Sequence, residues 1–120
     1  MAGIVRSPQG RLSLIALRVD GSAVATSAGS AGLLAGSGQV TIAKGSGGTS
    51  NEVTITLKRA SKQVPVVTAS AITTNCHIDI KSVTDSVIVL ETFQVADGTT
   101  GVDDADMHVQ IVVWEDSRDD

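Results

Sequence analysis

Three runs of this chain alternate apolar and polar residues: Val53-Thr54-Ile55-Thr56-Leu57, Cys76-His77-Ile78-Asp79-Ile80-Lys81 and His108-Val109-Gln110-Ile111-Val112-Val113-Trp114. Alternation with period two sends successive side chains to opposite faces, so each run reads as a strand with one buried face. The whole chain holds no Tyr, one Phe and one Trp. The core must therefore be built from Val, Ile, Leu and smaller side chains. At roughly 25 cal/mol per Å² of apolar surface buried, such a core is thin for its length. A contact between subunits would supply the missing burial, which predicts a homo-oligomer, with an unusually regular monomer core as the alternative.

The chain is 120 residues long, the size of a single domain with one core. Cys76 is the only cysteine, so there is no intramolecular disulfide framework. It falls on the apolar phase of its run, where a free cysteine acts as a small hydrophobe. No stretch reaches the roughly 20 apolar residues of a membrane span. Leu12 to Val19 is interrupted by Arg18 and followed by Asp20, a poor signal peptide. Synthesis in a reducing cytoplasm is the expectation.

The net charge of −4 conceals a split: residues 1–62 carry seven Lys/Arg against Asp20 and Glu52, and the rest carry eleven Asp/Glu against Lys81 and Arg118. The two parts thus stand near +5 and −9. Such a division suits head-to-tail contact between charged surfaces, with ordinary solvation as the alternative. It argues against nucleic acid, which calls for a concentrated basic stripe.

Residues 1–10 lack periodicity, end in Ser7-Pro8-Gln9-Gly10, and read as an arm. Arg11 to Val19 reads as a strand with Leu12, Leu14 and Ala16 on one face and Ile15, Leu17 and Val19 on the other. Asp20 to Gly38 is rich in Gly, Ala and Ser; a helix there would cost about 1 kcal/mol per interior Gly. It reads as an irregular segment with room for one short strand, ordered only on a partner. Residues 1–38 thus form an arm and extension, and 39–120 the compact body. Strands follow at Gln39–Lys44, Glu52–Arg59, Gln63–Ala69, Asn75–Val83, Ser86–Val95 and Met107–Glu115. Pro65 cannot donate to a ladder, so its strand starts there or lies at an edge. The predicted fold is all-β, an antiparallel β-sandwich of about six to eight short strands with an extended N-terminal arm.

Candidate sites are few. The acidic loop Asp97 to Asp106 carries closely spaced carboxylates but misses the spacing of a calcium loop. His77 and Asp79 share a strand face, and His108 is the other histidine; two histidines with no further assigned ligand do not define zinc. Cys76 and His77 are adjacent in a strand and point to opposite faces, so they cannot form a nucleophile–base pair. Cys76 with His108 stays geometrically open. Gly45-Ser46-Gly47-Gly48 leads into a strand, without the Lys-Ser/Thr pair and helix of a phosphate loop. Trp114 and Phe93 are the only aromatic platforms for a sugar, and Trp114 reads as core or as an interface anchor. No cofactor, metal or catalytic set is assigned.

In pattern, the chain resembles small virion proteins of tailed bacteriophages. The resemblance is carried by an N-terminal arm and Gly/Ser/Ala stretch before Gly38-Gln39-Val40-Thr41-Ile42-Ala43-Lys44-Gly45. Val53-Thr54-Ile55-Thr56-Leu57, Val64-Pro65-Val66-Val67-Thr68 and a last strand ending in Trp114 complete it. Comparable strings occur in capsid decoration (cement) proteins and in small tail-fibre domains. The first likeness implies a β-sandwich, often trimeric, on the outside of the head, bound to the major capsid protein and securing it against internal pressure. The second implies carbohydrate or host-receptor binding. Extended arms gain affinity by main-chain pairing, which places the main partner contact in residues 1–19. The expected contact residues are Ile4, Val5, Arg6, Arg11, Leu12, Leu14, Arg18 and Trp114, with Arg6, Arg11 and Arg18 facing acidic groups. Removing residues 2–19 is then expected to release the chain from its partner and leave the body folded.

Overall fold

A computed structural model describes residues 4–7, 10–45 and 50–115. The fold is an antiparallel β-sandwich. Its strands are β1 (Ile4–Ser7), β2 (Gly10–Val19), β3 (Leu33–Ala35), β4 (Val40–Lys44), β5 (Glu52–Leu57), β6 (Val66–Ala71), β7 (Cys76–Val83), β8 (Val87–Gln94) and β9 (Met107–Glu115). One sheet runs β1-β2-β9-β6, with β3 also on β2; the other runs β4-β5-β8-β7.

Period-two alternation builds the core from both inner faces. β2 buries Ser13, Ile15, Leu17 and Val19, and β9 buries Met107, Val109, Ile111 and Val113. From the other sheet come Val40 and Ile42, then Val53, Ile55 and Leu57, then Ile88, Leu90 and Thr92. The register aligns Ile42, Ile55 and Ile88 across three strands, all at 1 % exposure or less. β-branched side chains on a pleated surface replace aromatic bulk here.

Three expectations change. Residues 4–7 are a strand: the register sets Ile4 opposite Ser13, Val5 opposite Leu12, Arg6 opposite Arg11 and Ser7 opposite Gly10. The hydrogen bonding of β1 needs no apolar periodicity, which is why the sequence gives no sign of it. Second, the compact body does not begin at Gln39. β2 pairs with β9 along its whole length from Arg11–Glu115 to Val19–Met107, so residues 10–19 lie inside the sandwich. Third, Asp20 to Gly38 is tied down. Asp20 caps a 3-10 turn at Gly21–Ala23, Gly29 bridges Ile42, and Lys44 N–H donates to Ala25 O at 2.7 Å.

β7 departs from its pattern at Ile80, which is 44 % exposed. It is an edge strand, and the register slips between Ile80 and Ser82. A bulge at that point bends the strand off the core. β6 begins just after Pro65 and pairs only with β9, so it lies at an edge as its proline predicts.

Candidate functional site

The outer face of the β1-β2-β9-β6 sheet is ordered in rows by the register. Leu12 faces Trp114; Leu14, Val112 and Val66 form the next row; Ala16, Gln110 and Thr68 follow; Arg18, His108 and Ser70 come last. The first two rows are apolar and partly open to solvent, with Leu14 at 36 % and Val66 at 53 % exposure. The last two are polar or small. The face is therefore apolar at one end and polar at the other. In an antiparallel pair, directly opposed side chains sit about 4.5–5.5 Å apart, so these residues form one continuous strip.

Of the expected contact residues, Leu12, Leu14, Arg18 and Trp114 share this outer face. Arg11 does not. It lies on the inner face at the end of β2, where a guanidinium nitrogen stands 3.9 Å from the Glu115 carboxylate. A change of one residue along a strand reverses the face, and that separates Arg11 from Leu12. For Ile4, Val5 and Arg6 only the backbone pairing is described; their side chains lie outside the described residues.

Between the Glu115 end of β9 and the segments before β4 and after β5 is a cleft of about 350 Å³. Arg11, Lys58, Arg59 and Lys62 line it together with Ser13, Glu115 and Trp114. The segment after β5 is fastened there by main-chain bonds: Lys58 N–H to Gln39 O, Ser61 N–H to Asp85 O and Lys62 N–H to Trp114 O. The buried Ser61 hydroxyl accepts from Trp114 N–H at 2.8 Å. Lys58 Nζ donates to Ser37 O at 3.1 Å. Glu115 is the one carboxylate among the cleft's lining residues, and it is already engaged by Ser13 Oγ at 2.6 Å. Sequence reading missed this cleft because its cations come from residues 11 and 58–62, which only the fold brings together.

The acidic loop lies at the opposite end. Asp97 accepts N–H donors from Thr99 and Thr100, and the Thr100 hydroxyl donates to it as well. Those bonds, the Thr100 hydroxyl first, pull its carboxyl down to about 2. Asp106 accepts from Gly21 N–H at 3.0 Å. Thr92 anchors the loop to the sheet: Val102 N–H donates to Thr92 O and the Thr92 hydroxyl donates to Val102 O, while Asn51 Nδ2 donates to the same Thr92 O. Among the described residues no group of three or more His, Cys, Asp or Glu is placed to hold a metal.

His77 stands 3.7 Å from Asp79 and packs its ring against Phe93, centroids 5.7 Å apart. Cys76 is buried, and burial together with the charge of Asp104 pushes its thiol up. His108 is on the outer face of the other sheet, so the fold separates Cys76 from His108. Among the described residues no helix is long and apolar enough to cross a membrane.

The chain matches no protein-family model, no curated protein and no solved structure.

Proposed function

We propose that this chain is a structural virion protein of the capsid decoration type, which binds the major capsid protein on the outside of a bacteriophage head and stabilises it. The observation that carries this reading is the apolar strip Leu12, Leu14, Val66, Val112 and Trp114 on an otherwise polar sheet face. Exposed contiguous apolar residues with a polar rim mark protein contact surfaces. A rigid sheet offers such a strip without ordering cost, which suits permanent stapling. Trp114 is the aromatic anchor of the contact and Arg18 belongs to its polar rim. In this reading the protein assembles as a trimer and resides on the capsid surface.

Attachment through the sheet replaces attachment through an arm, because β2 cannot leave the sandwich without exposing the core. The test is co-sedimentation with head particles made from the major capsid protein encoded in the same genome. The expected result is saturable pelleting and a higher melting temperature of the particles. Leu14→Asp combined with Val66→Asp abolishes both while the variant stays folded by circular dichroism. Absence of pelleting by the wild-type chain overturns the proposal. Glycan-dependent quenching of Trp114 fluorescence in its place assigns the strip to host-receptor binding.

A further inference from the structure

The register puts opposite charges at opposite ends of the molecule. β9 runs from Met107, opposite Val19, to Glu115, opposite Arg11. The loop before Met107 is fixed to the far end of the other sheet, where Phe93 bridges Gly101. The basic cleft is fixed to the near end, where Lys62 N–H reaches Trp114 O. One end therefore presents Arg11, Lys58, Arg59 and Lys62, and the other Asp97, Asp103, Asp104 and Asp106.

The two ends also differ in which charges are used within the fold. Asp97 and Asp106 are bound to backbone donors of their own end. The carboxylates of Asp103 and Asp104 have no hydrogen-bond or ion-pair partner among the described residues, and neither do the side chains of Arg59 and Lys62. The cleft is concave with room for the side chains of a loop tip. The loop is fastened back on the sheet at Thr100, Gly101 and Val102 and buries Ala105, which leaves Asp104 exposed and Asp103 half-buried at its surface. Charge is complementary between one end of a molecule and the other end of a second.

We infer that the cleft lined by Arg11, Lys58, Arg59 and Lys62 receives the acidic loop Asp97–Asp106 of a second copy of this chain, with Asp103 and Asp104 paired to Arg59 and Lys62. The contact is heterologous. Such contacts close into a ring when the rotation between neighbours permits, and otherwise propagate. Its paired residues Asp103, Asp104, Arg59 and Lys62 lie outside the apolar strip, although Trp114 borders both surfaces, and it does not depend on the capsid reading.

The experiment is sedimentation velocity of the full chain over a range of concentrations at 50 and 500 mM NaCl. Association at low salt that weakens at least about tenfold at high salt is expected, because exposed pairs are screened as the Debye length shortens. Arg59→Glu with Lys62→Glu abolishes association, and so does Asp103→Lys with Asp104→Lys. Mixing the two variants restores it, since each then offers the other a complementary end. If a charge reversal perturbs folding by circular dichroism, the neutral Arg59→Gln with Lys62→Gln replaces it and is expected to weaken association. A monomer at every concentration and low salt overturns the inference. So does association that survives both reversals, or that is lost on changing Asp116, Asp119 and Asp120 to Asn, which would make the acidic end of the chain the bound group.

Discussion

The Ser13 hydroxyl donates to a Glu115 carboxylate oxygen at 2.6 Å, a cross-link between β2 and β9 over 102 residues of sequence. Ser13 is buried at 7 % exposure. Removing the donor loses a charge-assisted bond and leaves Glu115 under-satisfied. Ser13→Ala is expected to lower the unfolding free energy by about 1–2 kcal/mol in a urea titration. Glu115→Gln keeps an acceptor and costs less. Equal stability of Ser13→Ala and wild type would show that the bond contributes nothing.

Deleting residues 2–19 removes β1 and β2 and uncovers one edge of β9. Ile15, Leu17 and Val19 leave the core together. The truncated chain is expected to lose its cooperative thermal transition by circular dichroism. A sharp transition near the wild-type temperature would restore the arm as a separable element.

Ile55 is the middle of the Ile42-Ile55-Ile88 row. Ile55→Ala opens a cavity with neighbours on both sides, and a loss of about 2–5 kcal/mol is expected. Thr54, half-buried on the other face of the same strand, should tolerate Ala at under about 1 kcal/mol. Denaturant midpoints of the two variants settle the comparison, and similar losses would contradict the assigned faces.

Gly21 is required by close approach. A Cβ there would lie 2.1 Å from the Ala105 carbonyl oxygen, and its N–H holds Asp106. Backbone must move to admit it, so Gly21→Ala is expected to cost about 1–3 kcal/mol or more. Gly98 has φ +70° and open space around it; Gly98→Ala meets only the left-handed backbone penalty of about 1–2 kcal/mol. Melting temperatures rank the two, and a neutral Gly21→Ala would refute the close packing.

Asp97 gives a pH signature. Its carboxyl is held at about 2 by the Thr100 hydroxyl and by the N–H groups of Thr100 and Thr99. A depressed folded-state value favours the charged form. Its contribution to stability is therefore fully present above the unfolded value of about 4 and is lost as pH falls through about 2. Carboxyl carbon shifts should titrate with a midpoint near 2, and Thr100→Val should raise it. A wild-type midpoint near 4 would break the assignment.

The sandwich was legible where burial is one-sided. β5, β8 and β9 alternate cleanly because one face meets the core and the other meets water, and the faces of β2 follow the same rule. β1 was not legible, since a short edge strand is defined by main-chain bonds that any sequence makes. β2 was legible with both its faces, but it was set outside the body because residues 1–10 lack periodicity and a Gly/Ser/Ala-rich segment separates it from the strands that follow. Three of the strip's five residues, Leu12, Leu14 and Trp114, were visible. Val66 and Val112 joined it only through the register. The cleft was invisible because Arg11 and the 58–62 segment meet through tertiary structure alone.

β2 is the first long strand and β9 the last, and they are neighbours along their full length. The β4-β5-β8-β7 sheet, by contrast, is drawn wholly from residues 40–94. During synthesis the second sheet has all its strands while residues 107–115 are still missing. The first sheet cannot close until the last strand has left the ribosome. Until then Ile15, Leu17 and Val19 have no β9 to pair with, and the unpaired edge of β2 is open to whatever strand it meets first.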